Sequence, residues 1–395
     1  MPPPVFKPPA IKLARIESID VLRGLTIILM VFVNDVAGVA SAPSWLKHVS
    51  ASTDGMTIPD LVFPAFLFVV GMSIPFAMKR RIERGQHWTL IGGHILLRGV
   101  SLLVIGVYMV NRPDSEIMGW HDGLWRMLMY LSVLAVWHSV PAESKRAHRI
   151  SIAVRVIGIA ALIALAAEFR GAEGRWLEHQ WWGILGLIGW AYLIASAVYA
   201  VFRDNLTGLV GSVALLLAYY IAYVEGIIGI TWLNGSTAGS HPAITTAGIV
   251  IGVLLLSPSY DHGRRIRWAL VYAGFMFVIG LFLRPLYGIN KIAATPSWCL
   301  WCSAITCAFW VFLYWLIDVK GCYRVLKPCR TVGSNALFAY IFPALVYMLF
   351  ITMGIRYFSL GAQGLVVGLL RSVLFTAAMA AFAGWIGRRG FRLKL

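Results

Sequence analysis

The 395 residues of this chain are 59% hydrophobic and 13% charged, and the formal net charge is +17. A water-soluble protein of this length could not bury so much apolar surface, so the composition excludes one. The basic residues lie mainly in alternate loops, which is the positive-inside pattern of membrane proteins rather than the sign of a nucleic-acid partner. Apolar runs of about 20 residues without alternation are typical of membrane-spanning helices. We therefore predict an all-α, polytopic transmembrane helical bundle that contacts membrane lipid and binds no nucleic acid.

About twelve spans are predicted, with both termini in the cytoplasm. The proline-rich residues 1–17 form the predicted cytoplasmic tail, and residues 18–395 form a single transmembrane domain. The first two spans, 19–40 and 58–78, are joined by a polar hairpin. The other spans are predicted over 90–110, 123–140, 150–168, 181–202 and 206–224, in three segments that end near residues 257, 285 and 320, and over 333–353 and 362–387.

The hairpin between the first two spans concentrates polar side chains, namely Asn34, His48, Asp54 and Asp60. Polar groups this close to a bilayer are costly and indicate a functional site. Each also has a simpler interpretation: Asp60 could only cap the second helix, Asn34 could only bond to a neighbouring helix, and His48 could be an ordinary exposed histidine. Their occurrence together in one hairpin favours the functional interpretation.

The cysteines offer a weaker signal. Cys299 and Cys302 have the CxxC spacing of metal and redox sites, but they lie in an apolar run without a second pair. We predict that they pack in the core and that the chain binds no metal.

Several short motifs of the hairpin resemble those of one known family. They are residues 18–26 (SIDVLRGLT), 33–34 (VN), 46–48 (LKH), 55–57 (GMT) and 60–64 (DLVFP). They are similar to the heparan-α-glucosaminide N-acetyltransferases, and in particular to bacterial NagX-like proteins of DUF5009 type. Later similarities are residues 290–291 (NK) with Trp298, 317–321 (IDVKG) and 333–337 (GSNAL).

The resemblance implies a multi-pass acetyltransferase of the bacterial inner membrane, with a homodimer as the possible assembly. It implies transfer of the acetyl group of cytoplasmic acetyl-CoA to the amine of glucosamine or a glucosaminide at the extracytoplasmic face. Two alternatives stay open: a sugar or lipid transporter, and an O-acyltransferase that acts on an extracytoplasmic glycan. The family carries Trp-Asn-Gly where this chain has Thr53, Asp54 and Gly55.

The residues of the hairpin suit this chemistry. His48 matches the family's active-site histidine, and an imidazole can take the proton of an amine near neutral pH. Asn34 could donate to the oxyanion that forms on the thioester carbonyl. Asp60 or Asp54 could orient the imidazole. The sequence leaves open whether His48 is itself acetylated or acts only as a base.

The phosphates of CoA need cations, and six basic residues are candidates to bind them, although each could instead only set the topology. They are Arg23, Lys79, Arg80, Arg81, Arg264 and Arg265. The candidates for contact with the acceptor are Arg126, His241, Asn290 and Lys291.

Because the hydrocarbon core is about 30 Å thick, we expect the pantetheine arm of CoA to enter a tunnel through the bundle. The small residues Gly71, Gly92 and Gly93 are predicted to allow close helix approach around it.

Overall fold

The computed structural model of the chain describes residues 16–119, 122–141, 144–361 and 364–395. The regular secondary structure of this part is almost entirely α-helical, as the apolar runs predict. The helices are α1 (Glu17–Val36), α2 (Ile58–Glu83), α3 (Trp88–Val110), α4 (Ser115–Met118), α5 (Asp122–Trp137), α6 (Lys145–Glu168), α7 (Gly183–Phe202), α8 (Leu206–Val224), α9 (His241–Leu256), α10 (His262–Tyr287), α11 (Pro296–Tyr314), α12 (Lys327–Gly333), α13 (Ala336–Thr352) and α14 (Leu365–Arg388). Short π-helical turns precede α9, at Gly235–Ser240, and follow α11, at Trp315–Val319.

Each of the twelve predicted spans coincides with a helix. Within the described ranges, nine helices are long and apolar enough to cross a bilayer, and α12 with α13, which meet at a bend of 84°, could supply a tenth. The predicted spans over 19–40 and 123–140 are not among them, because α1 carries several charged residues and α5 has only 16 residues. The all-α, multi-pass class is confirmed, while the count of twelve and the cytoplasmic termini stay predictions.

Two short strands tie the end of the chain to the bundle. β1 (His138–Ser139) and β2 (Arg392–Leu393) pair antiparallel, with His138 opposite Leu393. The Asn335 side chain donates to the Phe391 carbonyl at 3.1 Å and accepts the Leu393 N–H at 3.2 Å. The final residues are therefore held against α5 and the junction of α12 with α13.

Helix α1 is fixed at both ends. At its start, the Asp318 carboxylate accepts the backbone N–H groups of Glu17 and Ser18, at 2.9 and 3.1 Å. Free N–H groups at a helix start need such acceptors, so the 317–321 motif acts here as a helix cap. Near the end of α1, the fully buried Asp35 pairs with Arg371 at 3.1 Å. The other donors to the Asp35 carboxylate are the hydroxyls of Tyr347, Tyr357 and Ser372.

Helices α2 and α9 form the centre of the bundle, and glycine brings their backbones into contact. A Cβ added to Gly71 would lie 1.8 Å from the Thr245 carbonyl oxygen, and one added to Gly248 would lie 2.0 Å from the Phe68 carbonyl oxygen. The close approach predicted for Gly71 is therefore present. The same prediction is wrong for Gly92 and Gly93, because a Cβ at either would meet no atom within 4 Å.

The cysteines of α11 are free and buried. The Cys299 thiol donates to the Ser240 carbonyl, and Cys302 lies 3.9 Å from the sulfur of Met56. This is the packing role predicted from their place in an apolar run.

The α2–α9 contact gives a first prediction. Gly71→Ala should push the two helices apart and lower the free energy of unfolding by about 2 kcal/mol or more, since a backbone oxygen cannot move aside as a side chain can. Gly92→Ala, on the open face of α3, is the matched control and should be neutral or slightly stabilising because alanine favours a helix. Thermal unfolding of both variants in one detergent measures the difference, and equal stability would contradict the proposed contact.

Candidate functional site

The hairpin between α1 and α2 places an imidazole against a buried carboxylate. His48 Nδ1 lies 2.6 Å from Asp60 Oδ1. The Asp60 side chain is 1% exposed and the His48 side chain is 39% exposed, so the carboxylate is sheltered while the ring remains accessible. An ionised carboxylate only accepts hydrogen bonds, so Nδ1 is the donor, and in the neutral ring the free lone pair is then that of Nε2. This is the arrangement of a general base and its orienting acid.

Asp60 reaches this position because it belongs to the first turn of α2. Its Oδ2 accepts the Thr57 N–H at 3.0 Å and the Thr57 hydroxyl at 2.9 Å. The Val49 N–H adds a longer contact of 3.4 Å. One carboxylate oxygen thus satisfies the start of the helix and the other holds His48. The helix cap and the orienting role, which were alternatives at the level of sequence, occur together.

A lysine from a distant segment completes this cluster. Lys291, in the loop between α10 and α11, places Nζ 3.2 Å from His48 Nδ1 and 3.3 Å from Nε2. Burial lowers the pKa of the Lys291 ammonium, and the nearby Asp60 carboxylate partly offsets this effect. Among the described residues, the side-chain partners of His48 are therefore Asp60 and Lys291.

Asn290 holds the loop that carries Lys291. Its amide nitrogen donates to the carbonyls of Ser50 and Thr53, at 2.9 and 3.0 Å. Its amide oxygen accepts the N–H groups of Ile292 and Ala293, at 2.8 and 3.0 Å. Both donors and both lone pairs of this buried side chain are thereby used. No free amide group is left for the acceptor contact predicted from the sequence, and the role seen is structural.

Asp54 braces the same loop from the solvent side. It accepts the Ile289 N–H at 2.7 Å and pairs with Arg284 at 3.2 Å. The Ile289 N–H and the Arg284 guanidinium lower the pKa of the Asp54 carboxyl. Of the two carboxylates proposed to orient His48, Asp60 is the one in contact with it.

The floor of the site consists of aromatic rings. The Trp298 indole N–H donates to the Asp60 carbonyl at 3.2 Å, below the first turn of α2. His241 packs edge-on against Trp298 and Phe63, with ring centroids 6.1 and 5.3 Å apart. His241 is only 4% exposed, so it lies inside the bundle beneath the site rather than on the outer surface expected for an acceptor contact.

Asn34 is not part of this cluster. Its side chain is exposed and lines a separate cavity of about 70 Å³ with Met109, Tyr340 and Tyr347. The residues that contact His48 come instead from α2 and from the loop before α11. The oxyanion contact proposed for Asn34 stays a prediction.

A larger cavity, of about 410 Å³, lies toward the opposite end of α1 and α2. Its basic lining residues are Arg23, Arg81, His94, Arg98 and Lys394. Ile27, Phe66 and Val70 give its inner wall an apolar character. A cavity with cations at one end and apolar walls at the other suits an amphipathic anion.

The cavity contains some of the predicted cations and lacks others. Arg23 belongs to its wall, where it pairs with Asp20 at 2.9 Å and donates to the Ser73 hydroxyl, and Arg81 lines it as well. The sequence prediction missed His94, Arg98 and Lys394. The signal for two of them was present, because His94 and Arg98 are basic residues inside the apolar helix α3.

The remaining predicted cations do not line this cavity. They are Lys79, Arg80, Arg264 and Arg265. Arg265 donates to the Tyr314 hydroxyl and the Ser257 carbonyl, and the side chain of Arg264 is exposed. Arg126, predicted to contact the acceptor, lies on α5 beside Tyr130 and also away from this cavity.

The cavity and the His48 cluster share helix α2 but do not join. The wall extends along α2 from Arg81 to Phe66, about 22 Å at 1.5 Å per residue. Asp60 lies about 9 Å further along the same helix. Phe63 lies on α2 within this interval, where it packs against His241. We call this contact, with Trp298 behind it, the partition.

Comparisons with known proteins agree with the resemblance seen in the hairpin. A family model described as a domain of unknown function, DUF5009, matches residues 15–239, more than half of the chain. The chain is 42% identical over 98 residues to the human heparan-α-glucosaminide N-acetyltransferase and 41% identical over 98 residues to the mouse protein. Each alignment covers 25% of this chain and 14% of the relative, so the chain matches only a small part of these longer proteins.

The hydrogen bonds of Asn290 give a prediction about stability. Asn290→Ala removes the four hydrogen bonds of a buried side chain that joins two segments, which should lower the free energy of unfolding by about 2–4 kcal/mol. Ile292→Ala, an exposed position in the same loop, should change it by less than about 0.5 kcal/mol. Thermal unfolding in detergent, with limited proteolysis of the hairpin, compares the two variants. Equal behaviour would show that Asn290 does not hold the loop.

Proposed function

The chain belongs to the DUF5009 family, and from this membership and from the contact of His48 with Asp60 we propose that it is a transmembrane acetyltransferase. Its donor is cytoplasmic acetyl-CoA, and its acceptor is the amine of glucosamine or a glucosaminide at the extracytoplasmic face. The observation that carries the proposal is the 2.6 Å contact between an accessible imidazole and a buried carboxylate in the segment that the family model matches.

The setting proposed for this enzyme rests on the resemblance to the family and on the loop charges. It lies in the bacterial inner membrane, within lipid, with both termini in the cytoplasm and residues 18–395 as one acyltransferase domain. A homodimer is part of the proposal only through the resemblance to the family.

His48 acts as the general base in direct transfer. The acceptor nitrogen attacks the thioester carbonyl, so that a C–N bond forms and the C–S bond breaks. His48 Nε2 takes the proton of the amine and returns it to the sulfur of the leaving thiolate. Asp60 holds the ring and stabilises the imidazolium while the proton is on it.

The 410 Å³ cavity is the proposed site for the donor. Arg23, Arg81, His94, Arg98 and Lys394 provide the cations that the phosphates of CoA require. The apolar wall at Ile27, Phe66 and Val70 suits the pantetheine arm, which points along α2 toward Asp60. About 9 Å separates the end of this cavity from the His48 cluster, so the partition has to open for the thioester to reach the base.

The central test measures free CoA and acetylated product from purified protein given acetyl-CoA and glucosamine. His48→Ala should lose at least about 10²-fold in rate, the usual worth of a general base. Asp60→Asn keeps an oxygen that can accept the Thr57 N–H but loses the charge, so it should fold normally and transfer slowly. Asp114 caps α4 in a different loop. Asp114→Asn is therefore the matched control and should keep the wild-type rate.

Four outcomes of this test, repeated with N-acetylglucosamine as a second acceptor, would change the proposal. Near-normal turnover in His48→Ala would remove the histidine from the mechanism. Equal rates in the Asp60 and Asp114 variants would reduce Asp60 to a helix cap. Acetylation of N-acetylglucosamine, which has hydroxyls but no free amine, would favour the O-acyltransferase, and no acetylation of any acceptor would favour the transporter.

The donor cavity generates its own prediction. Arg98→Ala should raise the KM for acetyl-CoA about tenfold, as expected for loss of one charged contact to phosphate, with a smaller effect on kcat. Arg80→Ala, whose side chain lies outside the cavity, should stay within about twofold of wild type. Initial rates at several acetyl-CoA concentrations measure both values. The same KM in the two variants would place the donor elsewhere.

A further inference from the structure

The position of Lys291 beside His48 has a consequence beyond the roles assigned above. Its Nζ is almost equally distant from the two ring nitrogens, at 3.2 and 3.3 Å. An ammonium at these distances from both nitrogens lies out of the ring plane, because within the plane it would overlap Cε1, so it does not lie along the lone pair of Nε2. Nε2 therefore stays open to a substrate while a positive charge lies about 3 Å away.

Two opposite charges act on the imidazole from two elements. Asp60, at the start of α2, favours the protonated ring, and Lys291, in the loop before α11, opposes it. The other titratable groups nearby are Cys302 on α11 and His241 beneath the partition, both buried. The Asp54–Arg284 pair lies on the solvent side of the same loop and is internally neutralised.

We propose that Lys291 is a positioning residue that keeps His48 uncharged between turnovers and promotes release of its proton during each turnover. The inference rests on the proposed acetyl transfer. Asp60 alone would favour a ring that is already protonated and cannot accept the proton of the amine. The Lys291 charge favours the neutral ring between turnovers, and it favours transfer of the proton from the imidazolium formed on attack to the thiolate sulfur.

The way in which Lys291 is held supports this role. Asn290 uses all of its amide groups to hold the loop, and Asp54 braces the same loop through Ile289. A flexible surface lysine would not need such support. Burial also lowers the pKa of the Lys291 ammonium, which agrees with a charge held partly out of water beside the ring.

The test measures protonation of His48 without relying on catalysis. Diethyl pyrocarbonate reacts with the neutral form of a histidine ring and not with the protonated form. Mass spectrometry of the peptide that contains His48 gives the extent of its modification at each pH. In Lys291→Met the midpoint of this curve should move to higher pH by about one unit or more, because the opposing charge is gone. In Lys291→Arg, which keeps the charge, the midpoint should stay within about 0.3 of wild type.

A parallel measurement follows kcat/KM for acetyl transfer against pH, where the acid limb should shift in the same direction and by the same amount. Lys291→Gln provides a second neutral variant, and thermal unfolding identifies the neutral variants that fold normally. An unchanged modification midpoint in a folded neutral variant would overturn the inference. A shifted midpoint in a protein that acetylates no acceptor would retain the electrostatic role and reject the proposed function.

Discussion

The Asp60 carboxylate is the group on which the site depends most, because its two oxygens serve different parts of the molecule. Oδ2 satisfies the first turn of α2 through Thr57, and Oδ1 holds the ring of His48. The side chain is buried, so it could not remain ionised without these partners. The start of the central helix and the orientation of the imidazole are therefore set by one group. A change at this position affects the helix and the chemistry together, unless it preserves the acceptor and removes only the charge.

The residues of the site come from two segments that are far apart in the chain. The hairpin supplies His48 and Asp60, and a loop more than 200 residues later supplies Lys291. Asn290 joins these segments with bonds to the hairpin on one side and to its own loop on the other. The DUF5009 match covers residues 15–239 and so includes the hairpin but not this loop. The hairpin alone would leave His48 with its carboxylate and without its cation.

Sequence reasoning succeeded where a chemical requirement is local. The place of Asp60 just after Pro59, at the start of a helix, predicted a carboxylate with unpaired N–H groups beside it, and His48 lies on the segment that leads there. It failed where the outcome depends on which face of a helix turns inward. Lys79, Arg80 and Arg81 are consecutive, but successive residues point about 100° apart on a helix, and Arg81 is the one in the cavity. The sequence likewise could not show which space the Asn34 side chain faces, since only the packing of α1 against α13 decides this.

The backbones of α2 and α9 are in contact at Gly71 and Gly248, so we expect the two helices to move as one unit. A passage between the cavity and His48 cannot be made by separating these two helices without losing that contact. The motion has to be a rotation of side chains such as Phe63 and His241, or a displacement of α11 with Trp298. Such a motion changes the cross-section that the protein occupies in the bilayer very little. If acetyl transfer follows the proposed route, the lateral pressure of the surrounding lipid therefore has little effect on this motion, and thermal rotation of a few buried rings sets how often the passage opens.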